Sequence, residues 1–505
     1  RNRYTDWQKE LVGGTALTRS IDASVSGGSA ATQFLLRGTN YHETTVFPGD
    51  FAYGKSAVLL NVNHQSEDKK FKLGVSANYV ADKNNLLGTD LTREAAILAP
   101  NAPVLYNDNG ELNWENGTFT NPLRLLESKY LSKTKGLIAS SDLSYTIIPD
   151  LVLKTQLGYS DTQVQESRTT PSTLYNPALG LTSSISSFLK NQSSQSSWSV
   201  EPQLTWKKEL AKSTFQFLAG TTFQERSTDQ LTLQATGFSS NNLITNVAAA
   251  TTKQVLSNNV SMYRYNAFFG RINYSYDGQY FINLTGRKDG SSRFGEGKRF
   301  ASFGAIGIAW LFHKMPFIEK ALPVLSFGKL RSSYGTTGSD QIGDYQFLNT
   351  YSPATESYQG VVGLQPTRLF NPDFSWETNK KIEIALELGF INDRIFVSAA
   401  YYSNRSSNQL VGIPLPKTTG FSSIQSNLDA TVANTGWELE LRTVNIENKK
   451  FKWTTSCNVS IAKNELLSFP DLAGSTYANQ YVLGESLNIR KVYLYTGINP
   501  QTGVY

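Results

Sequence analysis

Cysteine and histidine are scarce in this chain of 505 residues, which holds one cysteine and three histidines. A single cysteine, Cys457, cannot form an intrachain disulfide. His42, His64 and His313 are too far apart in the sequence to make a recognisable metal-ligand motif. We therefore expect no resident metal and no cofactor, and we interpret Cys457 as a packing or lipid-facing side chain rather than a reactive thiol.

Long apolar runs are also missing, since no stretch of about 18 apolar residues, enough for a membrane-spanning helix, occurs in the chain. Charged residues make up 17% of the chain, and the net charge of +6 is scattered along it. Scattered charge argues against a nucleic-acid surface, which needs a clustered basic face. Residues 1–12 contain no apolar signal core, and the chain begins and ends abruptly. We expect it to be a piece of a longer protein.

Aromatic residues are abundant at 12%, with 25 tyrosines and 27 phenylalanines. They concentrate in a stretch from Phe268 to Trp310, where two runs of period-two alternation flank Asp277-Gly278. That dipeptide favours a tight hairpin turn with positive φ at both positions. One face carries apolar and aromatic residues and the other carries polar ones, which is typical of a strand between lipid and water. The sequence therefore predicts a membrane-spanning hairpin here.

The same alternation recurs along the chain and predicts about sixteen strands, with a weak further strand near Ile489 to Gly497. The connections alternate between tight turns and loops of roughly ten to fifty residues. Short turns at one end and long loops at the other are typical of outer-membrane barrels. The predicted fold class is thus all-β, a transmembrane antiparallel β-barrel with long extracellular loops and short periplasmic turns. An array of soluble β-sandwiches stays as the alternative, although it would show no such asymmetry.

Several long motifs, in order, resemble one known family. They are Thr5 to Leu11, Asn273 to Phe300, Lys329 to Gln346, Asn371 to Phe390, Ile413 to Ser423 and Tyr495 to Tyr505. Together they resemble the SusC/RagA family of TonB-dependent outer-membrane transporters of Bacteroidetes. The resemblance spans nearly the whole chain, and an ordered set of motifs is more specific than any one of them.

The resemblance implies a barrel of about 22 strands, preceded by a plug domain and an N-terminal segment that contacts TonB. Residues 1–505 are then expected to be a partial barrel domain, without the plug, the TonB box, the signal peptide, roughly the first strand and the last strands. The implied location is the outer membrane. The implied activity is import of a large nutrient, an oligosaccharide or oligopeptide, with a SusD-like surface lipoprotein that captures it and TonB that supplies the energy.

Nothing in the sequence resembles a catalytic constellation, so we expect no enzyme activity. The paired carboxylates and several arginines fall on the polar faces of strands, where lining of the barrel lumen explains them better than acid/base chemistry. The predicted lumen-lining residues are Arg271, Arg287, Glu383, Glu387, Arg394, Glu438, Glu440 and Arg442. The stretch Gly286 to Lys298 suggests a phosphate-binding loop, but it lacks the P-loop spacing, and we interpret it as an extracellular hairpin loop.

Aromatic residues in the long loops are the candidates for substrate contact, because their rings can stack on sugars or peptide side chains. These candidates are Tyr106, Trp114, Tyr175, Tyr345 and Tyr358. Rings of this kind also pack loops together or form the extracellular aromatic girdle, and both readings stay open. Two other functions also stay open: a TonB-dependent siderophore or cobalamin receptor, and a surface adhesin or structural β protein.

Overall fold

The computed structural model describes residues 4–492, 494–495, 497–498 and 501–502. The chain divides into two compact units. Residues 4–147, 153–202 and 224–262 form the first unit, and residues 148–152, 203–223 and those from 263 onward form the second.

Sixteen long strands form one sheet, in which the strand order follows the chain. Neighbouring strands pair in antiparallel orientation, for example β1 with β2 and β19 with β20. The strands of this sheet are β1 (Thr18–Gly28), β2 (Thr32–Thr44), β3 (Ala52–Gln65), β4 (Phe71–Asn84), β5 (Tyr130–Ile148), β6 (Leu151–Thr170), β7 (Ser187–Leu210), β8 (Ser213–Thr236), β9 (Thr252–Tyr276), β10 (Tyr280–Ser291), β11 (Phe300–Trp310), β12 (Leu325–Ser339), β15 (Glu377–Phe390), β16 (Ile395–Ser407), β19 (Thr431–Glu447) and β20 (Lys452–Ser468). The sixteen predicted strands are confirmed, and the alternative of packed sandwiches is not.

Two short hairpins inside the long loops were missed by the sequence analysis. They are β13 (Thr350–Tyr358) with β14 (Val361–Arg368), and β17 (Gln409–Pro414) with β18 (Ser423–Leu428). Each forms a separate two-stranded sheet. Their strands are short and three of the four contain a proline, which normally argues against a strand, so their strand character was concealed.

Helices are short and lie between the strands or beyond the two ends of the sheet. The α-helices are α1 (Trp7–Val12), α2 (Thr92–Ile97) and α3 (Pro316–Ala321). Short 3-10 helices occur at Glu115–Gly117, Pro122–Glu127, Ser172–Leu174, Pro177–Leu179, Ser183–Ile185, Asn241–Leu243, Val247–Ala249, Phe312–Lys314, Lys417–Thr419 and Leu472–Gly474. Among the helices of the described residues, none combines the length and the apolar character needed to cross a bilayer.

The hairpin between β9 and β10 closes as its sequence predicts. Asp277 and Gly278 both have positive φ, at 53° and 59°, and the Gln279 N–H donates to the Tyr276 carbonyl at 3.0 Å. Pairing resumes at Tyr276 opposite Tyr280, so the connection is one residue longer than the expected two. An ion pair of 2.8 Å ties Asp277 to Lys212 of the neighbouring turn and raises the pKa of the Lys212 amine.

Several strands are much longer than a membrane crossing requires. Strands β7 and β8 have 24 residues each and β9 has 25, whereas about 9–11 residues cross the hydrocarbon core. Its Ser/Thr/Asn-rich composition predicts that the stretch up to Ser197 is loop, and this prediction is wrong, since β7 begins at Ser187. Serine, asparagine and glutamine on both faces of this stretch remove the period-two signal, because a strand outside the membrane needs no apolar face.

Tight turns and long loops alternate along most of the sheet, as predicted, but the connection 311–324 is longer than the loop 292–299 that precedes it. The tight turns are 29–31, 66–70, 149–150, 211–212, 277–279, 391–394 and 448–451. Between β11 and β12, the connection 311–324 takes the place of a tight turn and carries α3. The long connections are 45–51, 85–129, 171–186, 237–251, 292–299, 340–376 and 408–430. Two of these, 45–51 and 292–299, are shorter than the expected ten residues.

One face of the sheet in the second unit is apolar and exposed. Three rows of opposed residues cross it, and the side chains within a row belong to neighbouring strands. The rows are Ile272–Leu284–Ile306–Tyr334–Ile382, Tyr274–Ile282–Ile308–Ser332–Ile384–Tyr401–Trp437–Ile461, and Tyr276–Tyr280–Trp310–Leu330–Leu386–Ala399–Leu439–Val459. Ile308 is 53% exposed and Ile461 is 62% exposed, so this face has no protein cover among the described residues.

The first unit has an equivalent face on β2 to β5. Leu36, Leu60, Ala77 and Ala139 form one row across four strands, and Val58, Tyr79 and Leu137 form the next. Leu36, Val58 and Tyr79 are exposed. We call these apolar surfaces of the two units the outer face, and the opposite surfaces the inner face.

The buried core lies among the loops rather than in the sheet. One cluster in the first unit surrounds Leu11, Leu91, Ala95 and Leu123, and one in the second surrounds Phe294, Phe303, Phe374 and Trp376. A sheet that is covered by lipid on one face cannot bury that face in protein, so packing within the protein concentrates where the loops meet.

The weak strand expected near Ile489 to Gly497 is not formed by the described residues of that stretch. Tyr493 and Thr496 lie outside the described residues, as do Asn499, Pro500 and residues 503–505 of the motif from Tyr495 to Tyr505.

Candidate functional site

The inner face of the second unit carries a ladder of side-chain amides. Asn273 and Asn283 are opposed on β9 and β10, and the Asn283 amide donates to Asn273. Asn273 in turn donates to the Gln216 side-chain oxygen at 3.3 Å. The same row continues through Gly307 and Ser333, whose small side chains leave a shallow concavity of about 480 Å³ beside Lys329 and Arg331.

An ionic network occupies the wall beside this concavity. Arg331 of β12 pairs with Glu383 and, at 2.8 Å, with Glu387 of β15. Lys329 is 3.3 Å from the same Glu387 carboxylate. Two cations and two carboxylates thus neutralise one another on a surface where water is partly excluded, since the Glu387 side chain is 17% exposed. The predicted lumen residues Glu383 and Glu387 are engaged with cations rather than poised as an acid/base pair.

Arg271 and Arg287 lie on the inner face beside aromatic rings and polar atoms. The Arg287 guanidinium binds Asp289 at 2.8 Å and donates to the Tyr265 hydroxyl at 2.7 Å. It also lies 6.0 Å from the centre of the Phe269 ring. The Nε of Arg271 is buried and finds no hydrogen-bond partner among the described residues.

The remaining predicted lumen residues lie near the β16–β19–β20 end of the sheet. Glu438 and Glu440 are exposed on β19, and Arg442 stacks on the Phe396 ring at 5.2 Å. Arg394 lies in the tight turn 391–394 rather than on a strand. Its guanidinium donates to the Val444 and Asn445 carbonyls, so it caps the end of a neighbouring strand.

The first unit has its own polar inner surface, which sequence reasoning did not single out. Arg37 and Thr39 of β2 both bind the Asp22 carboxylate of β1, at 2.8 and 2.6 Å. Farther along the sheet, Gln33, Asn61, Asn63, Ser76, Ser140 and Asp142 line one concavity. The signal was present in the sequence as polar residues at every second position, but it is the register that aligns them across strands.

Three of the five predicted substrate-contact residues belong to loops of the first unit. Tyr106 is 53% exposed and forms a bridge to Leu112. Trp114 is half-buried and precedes the turn Glu115–Gly117, which contacts the turn Pro177–Leu179 just after Tyr175. A hydrogen bond of 2.9 Å from Thr173 to Glu127 joins the same two loops. The structure thus brings the segments that carry Trp114 and Tyr175 together.

The other two candidates, Tyr345 and Tyr358, belong to the segment 340–376 of the second unit. Tyr345 has a φ of 59°, and its carbonyl accepts from Arg368 at 3.0 Å. Tyr358 ends β13 and is 78% exposed. Whether any of these five rings touches a substrate stays a prediction.

A buried polar cluster anchors the segment 340–376, and sequence reasoning missed it. Arg293 donates to Asp344 at 2.9 Å and to the Asp340 carbonyl at 2.9 Å. Its guanidinium also lies 4.3 Å from the centre of the Tyr263 ring. The Asp340 carboxylate accepts from Tyr263 at 2.8 Å and from Ser291 at 2.7 Å. We call these five residues the Arg293 cluster.

Aromatic packing continues from this cluster. Phe294 and Phe374 are fully buried, and Trp376 packs against Phe294 with ring centres 5.2 Å apart. The Trp376 indole donates to the Arg299 carbonyl at 2.9 Å. Arg293 and Asp340 each lie in a motif that the sequence makes recognisable, but nothing in the sequence shows that the two motifs are in contact. The stretch Gly286 to Lys298 is a strand end and hairpin loop with no following helix, as interpreted.

The described residues contain no cluster of metal-ligating side chains. Among the described residues, no group of three or more His, Cys, Asp or Glu side chains is arranged to hold a metal ion. The polar side chains on the inner face of each unit can form hydrogen bonds and ion pairs with a ligand or another protein segment.

Comparison with known proteins agrees with this architecture. The family model described as "TonB dependent receptor-like, beta-barrel" matches residues 63–499. TonB-dependent receptor P26 of Formosa agariphila is 28% identical over 510 residues, covering 94% of this chain and 48% of that protein. TonB-dependent receptor SusC of Bacteroides thetaiotaomicron is 24% identical, covering 95% of this chain and 49% of that protein.

The fold of this chain is also similar to that of a solved structure. The structure of the RagAB peptide transporter superposes with a TM-score of 0.76 at 25% sequence identity, covering 92% of this chain and 52% of that one. The chain thus spans about half the length of the relatives that it matches.

Proposed function

This chain belongs to the family of TonB-dependent receptor β-barrels of the outer membrane, and from that premise we propose that it forms part of the barrel wall of an active importer for a large nutrient, an oligopeptide or an oligosaccharide. The observation that carries the proposal is the similarity to the RagAB peptide transporter over 92% of the chain. The ordered motifs that resemble the SusC/RagA family support it.

The mechanism that we propose divides the work between this barrel and parts outside the chain. A SusD-like lipoprotein captures the substrate at the cell surface, and TonB acts on a plug domain that precedes the barrel in the longer protein. The barrel wall forms no covalent bond and catalyses no reaction. Its polar inner faces, with the amide ladder and the Lys329–Arg331–Glu383–Glu387 network, offer groups that can bind the plug or the passing substrate through hydrogen bonds.

The loop aromatics are the proposed substrate contacts. Trp114 and Tyr175 carry the strongest case, because the loops that hold them contact each other and large aromatic rings stack on sugar faces or peptide side chains. Tyr106, Tyr345 and Tyr358 are the further candidates. The lumen-lining role of Arg271, Arg287, Glu438, Glu440 and Arg442 is part of the same proposal, whereas Arg394 is left out because it lies in a tight turn.

Purification of the full-length protein from its native outer membrane tests the proposal. We expect a lipid-modified surface protein of SusD type to copurify in fixed ratio, and mass spectrometry of the complex to identify a bound oligopeptide or oligosaccharide. Recovery of the receptor alone with a ferric chelate or cobalamin would favour the siderophore or cobalamin receptor instead. Recovery of a protein with no bound small molecule and no uptake activity would favour an adhesin.

Uptake measurements then test the contact residues. We expect the double variant Trp114→Ala, Tyr175→Ala to lower the uptake rate of the identified substrate at least tenfold. The matched control is Leu179→Ala, which changes an exposed residue in the loop of Tyr175 and should leave uptake unchanged. Equal uptake by the double variant and the control would remove these two rings from the site.

A further inference from the structure

The connection between β11 and β12, residues 311–324, differs in character from the short polar turns at its end of the sheet. It carries the 3-10 turn Phe312–Lys314 and the helix α3, which contains no buried residue. Phe317 is 78% exposed, and Leu322 and Val324 are both 57% exposed. Three large apolar side chains thus face solvent within eight residues, although the connection needs none of them to close.

The connection is tied to the neighbouring turns at both of its ends. Leu311 donates its N–H to the Gln279 carbonyl at 2.8 Å, and the Lys314 amine donates to the Gly278 carbonyl at 3.0 Å. On the other side, the Ile391 N–H donates to the Val324 carbonyl at 2.9 Å. Ile391, itself 51% exposed, extends the apolar patch into the next turn. We call Phe317, Leu322, Val324 and Ile391 the α3 patch.

Phe312, at the start of the connection, lies on the outer face. Gly328 shares its strand face with Leu330, and a Cβ on Gly328 would lie 2.5 Å from the Phe312 ring, so Phe312 covers the outer side of β12. Its ring also packs against Trp310 at 5.6 Å. Trp310 in turn stacks on Tyr280 at 6.4 Å.

Those rings form the last row of the outer face before the turns. Tyrosine and tryptophan in such a row are typical of the boundary between acyl chains and headgroups. The α3 patch lies next along the chain after this row, at the end of the sheet that carries the tight turns. Its position is therefore level with the lipid headgroups and the adjoining acyl segments of one leaflet.

We propose that the connection 311–324 is an interfacial lipid anchor. In this arrangement Phe317, Leu322, Val324 and Ile391 are buried in the leaflet at the tight-turn end, and Lys320 extends its amine to the phosphate groups. An amphipathic segment with aromatic and aliphatic residues on one side and lysine on the other binds such an interface through apolar burial and charge. The occupant is phospholipid, and this inference does not depend on the transported substrate.

Spin labelling of the full-length protein in vesicles of phosphatidylethanolamine and phosphatidylglycerol tests the proposal. Each variant carries Cys457→Ser and one new nitroxide-labelled cysteine in a background without other cysteines. The test variant is Phe317→Cys. Ile308→Cys on the outer face is the lipid-exposed reference, and Lys450→Cys in the polar turn 448–451 is the water-exposed reference.

Collision with oxygen, which concentrates in the bilayer, is compared with collision with a water-soluble nickel chelate. We expect the label at position 317 to resemble that at 308, with oxygen access exceeding nickel access by at least threefold. A label that resembles position 450 would place α3 in water and overturn the proposal. Low access to both reagents would also overturn it, because it would show that protein rather than lipid covers the patch.

Discussion

Leu386 and Glu387 are consecutive residues of β15 with opposite surroundings. Leu386 is 39% exposed and stands opposite Leu330 and Ala399 on the outer face. Glu387 points to the inner face, where its carboxylate binds Arg331 at 2.8 Å and Lys329 at 3.3 Å. One step along the strand therefore exchanges an apolar environment for an ionic one, and single substitutions can test which face meets lipid.

Leu386→Arg should impair assembly in the membrane, because a charge on the lipid face is unfavourable by up to about 2–4 kcal/mol, the cost at the middle of the bilayer. Glu387→Gln should assemble, because Arg331 retains Glu383 and the glutamine oxygen can still accept a hydrogen bond. The shift in gel mobility on heating reports the fraction of assembled full-length protein. Equal assembly of the two variants would mean that the faces have been assigned the wrong way round.

The hairpin turn at Asp277-Gly278 should be sensitive to any side chain at Gly278. Its φ of 59° lies in the left-handed region, which costs an ordinary L-residue about 1–2 kcal/mol, and a β-branched side chain suits it least. Gly278→Val should therefore lower the free energy of unfolding by roughly that amount. Urea unfolding of the protein in vesicles measures the difference.

Gly286→Ala is the matched control for that variant. Gly286 lies on β10 without a positive φ, and a Cβ added there would have no other atom within 4 Å, so alanine should be neutral. If Gly278→Val unfolds at the same urea concentration as Gly286→Ala, the turn geometry is not what stabilises this hairpin.

Local sequence patterns predict most of the strands and turns of the sheet, and they fail where a strand lacks an apolar face or is short. Alternation around Ile382 to Phe390 and a glycine turn at Gly278 are local signals, so the strands and turns that carry them could be predicted. Strand β7 begins at Ser187 in a stretch that is polar on both faces, so no alternation of apolar and polar residues could predict its start. The hairpins β13–β14 and β17–β18 were missed for another reason, because their strands are short and three of the four contain a proline.

The candidate site depends even more on long-range pairing. That Arg331 meets Glu383 and Glu387 follows from the register between β12 and β15, which a single sequence does not specify. The contact between Arg293 and Asp344 joins two loops that are separated by two strands along the chain. Residue types could be assigned to a face from the sequence, but their partners could not.

Arg293→Ala should loosen the segment 340–376 without preventing assembly of the sheet. The change removes an ion pair whose two side chains are 14% and 17% exposed, and it leaves Asp344 and Asp340 without this cation, at a cost of roughly 3 kcal/mol. Limited proteolysis should then cleave within 340–376 at least tenfold faster, while the heat-modifiable mobility stays unchanged.

Two further variants sharpen that test. Arg293→Lys should recover little of the protection, because an ammonium cannot reproduce the guanidinium contacts with both aspartates and the Tyr263 ring. Lys298→Ala removes an exposed contact of 3.7 Å to Asp373 from the same loop and should have almost no effect. Unchanged cleavage in Arg293→Ala would show that the aromatic packing around Phe294 alone holds the segment.

Helix α1 and the loop 85–129 should loosen together, because they share one apolar cluster. Leu11 is fully buried against Leu91, Ala95 and Leu123, and the Trp7 indole donates to the Ala99 carbonyl at 2.8 Å. Leu11→Ala leaves a cavity at a cost of about 2–5 kcal/mol. Hydrogen exchange should therefore become faster both in Trp7–Val12 and in Thr92–Ile97, whereas Gln8→Ala, on the exposed side of α1, should change neither. Faster exchange in α1 alone would mean that the loop keeps its fold without the helix, and that the segment before β1 cannot transmit movement to it.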